Sequence, residues 1–279
     1  MTANMPQDHR LQQQRFELKY LVEESQTSAI RDFVSSHLEL DDYGVGRPNL
    51  SYPVHSLYLD SSDLHTHQAS VNGTKNRFKL RLRYYDDQPG SPVFFEVKGR
   101  VDNCILKRRC GVRRDAVAPL LNGQWPAADQ FFTTEPRHFA ALERFLLLMN
   151  SLNAGPKAHN AYLREAWVSP HDNSVRVTFD RNIRIEPHFG LSAVVPMREP
   201  IFVYSPVVIL ELKFTDRFPN WFNDLVQCFN LMQTSAQKYS GGVLLLGEYR
   251  FDEQSVFDNT PFAPPVPTSG AAEMILAEM

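Results

Sequence analysis

Cysteine is scarce in this chain: Cys104, Cys110 and Cys228 are all there are in 279 residues. An odd number without a CxxC pair argues against a disulfide framework or a thiolate zinc site, and for a reducing compartment. No apolar run approaches the roughly 18 residues that span a bilayer. The first 14 residues are polar and lack an apolar core, so no secretory signal is expected. A phosphate-cradling glycine loop is also missing, since Ser240-Gly-Gly242 is too short and reads as a turn. No Ser-His-Asp or Cys-His set suggests covalent catalysis. His55, His65 and His67 include one His-x-His pair, whose ordinary reading is solvated loop histidines.

What the chain has is charge in alternation. Lys75-Asn-Arg-Phe-Lys-Leu-Arg-Leu-Arg-Tyr-Tyr85 places Arg77, Lys79, Arg81 and Arg83 at every second position, with Phe78, Leu80, Leu82 and Tyr84 between them. On a strand these cations share one face about 7 Å apart. They repel unless water, acids or a bound anion lies among them. Residues 75–114 hold twelve Lys/Arg against four acids, whereas the net charge of the whole chain is −3. A basic segment within an acidic protein points to a localised anionic partner and away from a nucleic-acid binder.

The same alternation recurs. Arg15, Glu17 and Lys19 oppose Phe16, Leu18 and Tyr20; Glu96, Lys98 and Arg100 oppose Phe95 and Val97. Arg176, Thr178, Asp180, Asn182 and Arg184 oppose Val175, Val177, Phe179, Ile183 and Ile185, and Glu211 and Lys213 oppose Leu210, Leu212 and Phe214. Strands are expected at 15–21, 53–60, 76–86, 92–100, 103–113, 158–168, 174–186, 206–214 and about 242–249, with a short one near 193–204. Helices are expected at 25–38, 115–121 and 136–150. Another is expected to be capped by Asn220, with Trp221, Phe222, Leu225, Val226, Phe229 and Met232 as its core stripe. Residues 1–13 read as a disordered lead, 14–250 as one domain, and 251–279 as a disordered or loosely docked tail.

A sheet with one face in water also alternates. Here, however, the polar faces are heavy in Arg, Lys and Glu, and acid and base stand two apart in Glu17/Lys19, Glu96/Lys98 and Glu211/Lys213. Turning those faces inward gives an α+β fold: a closed antiparallel β-barrel with helices packed outside. Cations confined in such a lumen need a polyanion, and a few carboxylates among them suit Mg²⁺ or Mn²⁺.

An ordered series of segments carries a resemblance over about residues 14–249. They are Phe16-Glu-Leu-Lys-Tyr20, Ser56-Leu-Tyr-Leu-Asp60, Arg77–Tyr85, Phe95-Glu-Val-Lys98, Tyr162-Leu-Arg164, Val175-Arg-Val-Thr-Phe-Asp180, Leu210-Glu-Leu-Lys213 and Ser235-Ala-Gln-Lys-Tyr-Ser240. The chain resembles the VTC (vacuolar transporter chaperone) catalytic domain, of the CYTH or triphosphate-tunnel metalloenzyme superfamily. The resemblance implies an eight-stranded tunnel that binds a nucleoside triphosphate or a phosphate chain. In the polymerase branch, the γ-phosphoryl group of ATP passes to growing inorganic polyphosphate, with Mn²⁺ or Mg²⁺ required. Carried over by position, the implied catalytic phosphate ligands are Lys19, Arg81, Arg83, Lys98, Arg164 and Lys238. Arg77, Lys79, Lys107 and Arg109 are implied companions, the register of 103–113 being ambiguous on pattern alone. Glu211, with Glu17, is implied as metal ligand.

Hydrolytic members of the superfamily carry Glu-x-Glu-x-Lys on the first strand, where this chain has Arg15-x-Glu17-x-Lys19. The substituted cation favours chain transfer and leaves hydrolysis at Glu17 plus Glu211 open. Three readings follow: a polyphosphate polymerase, a triphosphate or tripolyphosphate hydrolase, and a non-catalytic polyphosphate- or nucleotide-binding component. The expected partners are ATP and polyphosphate, not nucleic acid. Any membrane coupling would need a separate membrane protein, placing the chain in the cytoplasm or at the inner face of a membrane.

Overall fold

The computed structural model describes residues 15–252 except 102–103, 171–173 and 216. Its strands are β1 (Arg15–Glu23), β2 (Glu39–Leu40), β3 (Ser51–Asp60), β4 (Arg77–Tyr84), β5 (Val93–Val101), β6 (Cys104–Val112), β7 (Gly155–Val168), β8 (Val175–Pro187), β9 (Ile201–Phe202) and β10 (Val207–Thr215). Six α-helices accompany them: α1 (Glu24–Ser35), α2 (His65–Val71), α3 (Val117–Leu121), α4 (Pro136–Ser151), α5 (Asn220–Cys228) and α6 (Lys238–Leu246). Eight strands form one antiparallel sheet in the order β1-β10-β8-β7-β3-β4-β5-β6, with the short β2 beside β7 and β9 beside β8.

Alternation sets which face each side chain takes. The apolar residues of β3–β6, among them Leu57, Leu80, Leu82, Phe95 and Cys110, are fully buried with Leu142 and Phe145 of α4. Those of β1, β8 and β10, including Tyr20, Phe179, Leu210 and Leu212, are buried with Ile30 and Val34 of α1 and Phe222 and Leu225 of α5. Two apolar layers thus clothe the convex face. Each fully buried Leu or Phe side chain contributes about 1.5–3 kcal/mol. The alternate positions, which carry the charges, are left on the concave face.

The sheet curls into a half-barrel and does not close. The two end strands, β1 and β6, share no hydrogen-bonded ladder. A side-chain ion pair from Lys98 of β5 to Glu17 of β1, at 3.2 Å, reaches past β6 to the other end of the sheet. The three consecutive cations Lys107, Arg108 and Arg109 in the middle of β6 mark it as an edge that resists pairing.

Three further expectations are corrected. The run at 242–249 is not a strand: residues 238–246 form α6 and Glu248–Phe251 a 3-10 turn. A short apolar run bounded by glycine fits a buried strand and a buried helix equally well. The alternation of β8 breaks at Asn182, which has φ 51°, beside a register shift in the pairing with β7. A bulge of this kind reverses the faces beyond it. Ile183 and Ile185 therefore pack with Tyr52, Tyr58, Tyr162 and Tyr239 on the concave side. Asn220 does not cap α5; Pro219 holds the cap position with no side-chain bond, and Met232 of the expected core stripe is exposed. The short strand near 193–204 is β9, reduced to two residues. The expected lead lies outside the described residues, as does the expected tail beyond Phe251 and Asp252. Phe251 itself is fully buried in the concave cluster.

α6 fits into one end of the half-barrel because Gly242 has no side chain. A Cβ there would stand 2.5 Å from Ile185 Cδ1 and 2.7 Å from Cγ2. Gly242→Val is expected to destabilise the fold by about 1–3 kcal/mol through overpacking. Gly90→Ala, which meets nothing within 4 Å, should change it by less than about 0.5 kcal/mol. Urea unfolding of the two variants checks the contrast; equal midpoints would mean that α6 does not pack there.

Candidate functional site

The register brings the charged positions of β1, β4, β5, β6, β7, β8 and β10 onto one surface. Lys19 faces Glu211 and Glu17 faces Lys213 across β1–β10; Arg164 faces Asp180 across β7–β8. Arg81 faces Glu96 across β4–β5, and Lys98 stands between Lys79 and Lys107. The ambiguous strand is settled: Lys107 and Arg109 share this face, and Arg108, opposite Val97, takes the other.

Two groups emerge. In the first, Glu211 is the hub. Its carboxylate accepts from Lys213 Nζ at 2.5 Å and Lys238 Nζ at 2.9 Å, with Arg164 Nη2 at 3.6 Å and Lys19 Nζ at 3.8 Å. Arg164 also grips Asp180 with two 2.7 Å hydrogen bonds, and Lys238 reaches the same carboxylate at 2.7 Å. Glu17 joins through Lys19 at 3.3 Å. Burial works to raise the pKa of Glu211, but Lys213, Lys238, Lys19 and Arg164 outweigh it and hold the carboxyl well below its usual range. Glu17 behaves likewise: burial opposes its ionisation and Lys98 and Lys19 overcome it.

The second group is poor in acid. Glu96 alone serves it, accepting from Arg81 Nε and Nη2 at 2.9 and 2.7 Å and pairing with Lys107 at 2.8 Å. Among the described residues Arg83 and Lys79 have no acidic partner within ion-pair distance. Arg83 is 6% exposed; it donates to Tyr162 Oη at 2.8 Å, and its Nε has no hydrogen-bond partner. Lys79 donates to Gln237 Oε1 at 3.2 Å and Ser240 Oγ at 3.0 Å, at the start of α6. Burial, then Lys19 and Lys98, lower its pKa to about 7. Burial also lowers Lys107 to about 7, against the pull of Glu96. A helix N-terminus among under-neutralised cations is an arrangement made for anions.

All six implied catalytic cations therefore share the concave face; Lys19, Lys98, Arg164 and Lys238 pair with Glu17 or Glu211, whereas Arg81 and Arg83 lie in the second group. Of the companions, Lys79 and Lys107 lie inside. Arg77 donates to Thr74 O at one end, and Arg109 stacks over Phe94 at 4.7 Å near the other. Asp180, Glu96 and Lys213 belong to the site although they are not among the implied ligands; the available signals were the two-residue spacing of Glu96 from Lys98 and of Lys213 from Glu211, and the place of Asp180 on the polar face of its alternating run. Tyr58, Tyr162 and Ser240 lie within segments that carry the resemblance, but as uncharged residues they gave no signal in the charge alternation. The expectation of solvated loop histidines is corrected for two of the three: His55 lies on β3 and His67 on α2, and both are buried. His67 is buried against Glu248 at 3.0 Å and His55 against His159 at 3.1 Å, and the described residues hold no metal-binding group of three or more His, Cys, Asp or Glu.

A VTC domain model matches residues 14–247. The chain belongs to the VTC domain family. No curated protein matches this VTC chain. Among solved structures, it is similar to the PH1819 protein of Pyrococcus horikoshii OT3, with 11% identity over 84% of this chain and 99% of that one and a TM-score of 0.43. It is also similar to a candidate adenylate cyclase from Vibrio parahaemolyticus, with 13% identity over 81% and 95% of the two chains and a TM-score of 0.41. Membership of the VTC family rests on the domain match alone. No helix among its described residues is long and apolar enough to cross a membrane.

The lowered pKa of Lys79 makes a test. Its folded value, about 7, lies below the ordinary 10.5, so between these values the unfolded chain binds more protons and stability rises with pH. The urea midpoint of the ligand-free protein should climb between about pH 7 and about pH 9, and climb less in Lys79→Met. Saturating tripolyphosphate should flatten the profile by keeping Lys79 protonated. A ligand-free profile that is level or falling would contradict this account of Lys79.

Proposed function

We propose that this chain is a metal-dependent polyphosphate polymerase that transfers the γ-phosphoryl group of ATP to inorganic polyphosphate on the concave face. VTC family membership supports a polyphosphate-related function and an enzyme of the phosphotransferase type. The observation that carries the reading is the excess of cations. Lys19, Lys79, Arg81, Arg83, Lys98, Lys107, Arg164, Lys213 and Lys238 meet only Glu17, Glu96, Asp180 and Glu211. A phosphate chain supplies the missing negative charge at regular spacing.

In the proposed step, a terminal oxygen of polyphosphate attacks the γ-phosphorus of ATP. The bond to the β–γ bridging oxygen breaks, that oxygen keeps the electron pair, and ADP leaves. Such a loose transition state asks for alignment and charge neutralisation. The Arg83 and Arg81 forks suit non-bridging oxygens, and Lys79, Lys98 and Lys107 act as point charges. Transfer is favoured over hydrolysis because every carboxylate is already engaged. Glu17, Glu96, Asp180 and Glu211 each pair with at least two cations, which leaves none as a base for water.

Glu211 and Glu17 are hard oxygen donors gathered around the same Lys19 ammonium. With no third carboxylate or histidine grouped there among the described residues, they fit Mg²⁺ or Mn²⁺ arriving with phosphate oxygens better than a resident all-protein site. Bound in this way, the metal would neutralise charge on the phosphates.

Purified protein with ATP and Mn²⁺ should yield ADP and long phosphate chains; orthophosphate alone would indicate a hydrolase, and no product a binding component. Arg83→Ala, which strands no acid, should lower turnover at least about 100-fold, as expected for loss of a transition-state donor, with little change in melting temperature. Chelation should stop turnover and leave the melting temperature unchanged, because the apolar clusters hold the fold together. A chelator-induced drop in melting temperature would contradict that last point.

A further inference from the structure

One end of the concave face is filled by α6; the other carries a rim of aromatic rings. Tyr52 faces Arg164 in the β3–β7 register and Phe94 faces Arg83 in the β4–β5 register. Tyr85 follows Arg83 by two residues, which places it on the same face one step further out. These rings touch one another, Tyr52 to Tyr85 at 6.2 Å and Tyr85 to Phe94 at 6.4 Å between centroids. Tyr43 lies across them, nearly parallel to Tyr85 at 11° and 6.4 Å away, and 5.8 Å from Tyr52. Tyr43 is 69% exposed although its position is firmly held. Asp41 accepts from the Tyr43 backbone N–H at 3.1 Å and from Arg176 Nη2 at 2.7 Å, and Arg176 also donates to Tyr52 Oη at 3.3 Å.

An aromatic ring left largely in water, resting on Tyr52 and Tyr85 with its backbone N–H held by Asp41, is a surface with a missing partner. Phosphate has no use for it. A nucleobase does, since every base presents a π-face that stacks on aromatic side chains. We propose that the Tyr43–Tyr52–Tyr85 rim is the base-binding subsite for the nucleoside triphosphate donor. The phosphates then run inward past Arg83 and Arg164, and nucleotide enters from the end opposite α6. The inference rests on the phosphate reading of the concave face and adds an orientation to it. The Asp41 carboxylate is already engaged by Arg176 and the Tyr43 N–H, so recognition by stacking implies preference for larger bases over smaller ones, with little discrimination between adenine and guanine.

Tyr43 is the residue to change, because its exposure keeps the fold out of the result. Calorimetric titrations in Mg²⁺ buffer would compare wild type, Tyr43→Ala and Tyr43→Phe. The ligands are tripolyphosphate and the β,γ-imido analogues of ATP and UTP. Tyr43→Ala should weaken the ATP analogue by at least about fivefold, the lower end of a single base–aromatic stack, and leave tripolyphosphate unchanged. Tyr43→Phe should bind all three like wild type, and the preference of wild type for the ATP over the UTP analogue should shrink in Tyr43→Ala. Equal weakening of tripolyphosphate and nucleotide, or no change in either, overturns the base subsite while the phosphate reading stands. Wild-type protein that binds neither tripolyphosphate nor nucleotide overturns both.

Discussion

Glu211 ties four separate parts of the chain to one point. Through its two oxygens it engages Lys213 on its own strand, Lys238 at the start of α6, Arg164 on β7 and Lys19 on β1. Thr178 Oγ1 of β8 donates to it at 3.4 Å. Sheet curvature, the seat of α6 and the spacing of the cations all meet at this carboxylate. Without it, Lys213 would have no ion-pair partner among the described residues, and Arg164, Lys238 and Lys19 would keep only Asp180 and Glu17; in a buried space an uncompensated charge costs several kcal/mol.

Such a network is a poor way to stabilise a fold. Desolvation of each ion offsets much of the attraction, and the convex apolar layers contribute the stability more cheaply. What the network supplies is position. Arg164, clamped by both oxygens of Asp180, cannot reorient without breaking two 2.7 Å bonds. Donors fixed before substrate arrives need no reorganisation at the moment of reaction. The acid-poor group beside it, centred on Arg83 and Lys79, retains unneutralised charge. One side of the face is therefore set by internal pairs, and the other is left for an external anion.

Much of this was legible because β-structure has a period of two. Arg77 to Arg83, Glu96 to Arg100, and Glu211 with Lys213 announce their faces by alternation, and the two convex apolar clusters confirm which side α1, α4 and α5 cover. The failures have local causes. Asn182 carries no mark that it would take φ 51° and reverse β8, so Ile183 and Ile185 were placed on the wrong side. Gly241-Gly242-Val243-Leu244-Leu245-Leu246 gives no period with which to choose helix over strand. Closure was inferred from the charged faces and from the resemblance to a tunnel fold, and charge is also what keeps β6 an open edge. The contribution of Tyr58, Tyr162 and Ser240 depends on long-range register, which no local pattern encodes.

The two ends of the half-barrel differ in the same way as its two ionic groups. At the α6 end, Tyr239 stacks on Tyr58 at 4.6 Å and donates to the buried Asp60 at 2.9 Å, so both rings are consumed by packing. Asp60 in turn accepts the backbone N–H groups of Thr66 and His67 and so fixes the first turn of α2 beside α6. At the opposite end, Tyr43 has an ion-paired support and no cover. A fold that spends its aromatic rings on closing one end and exposes one at the other has a polarity along the sheet axis. That polarity distinguishes the two ends of the face, and the proposed orientation of a nucleotide rests on it.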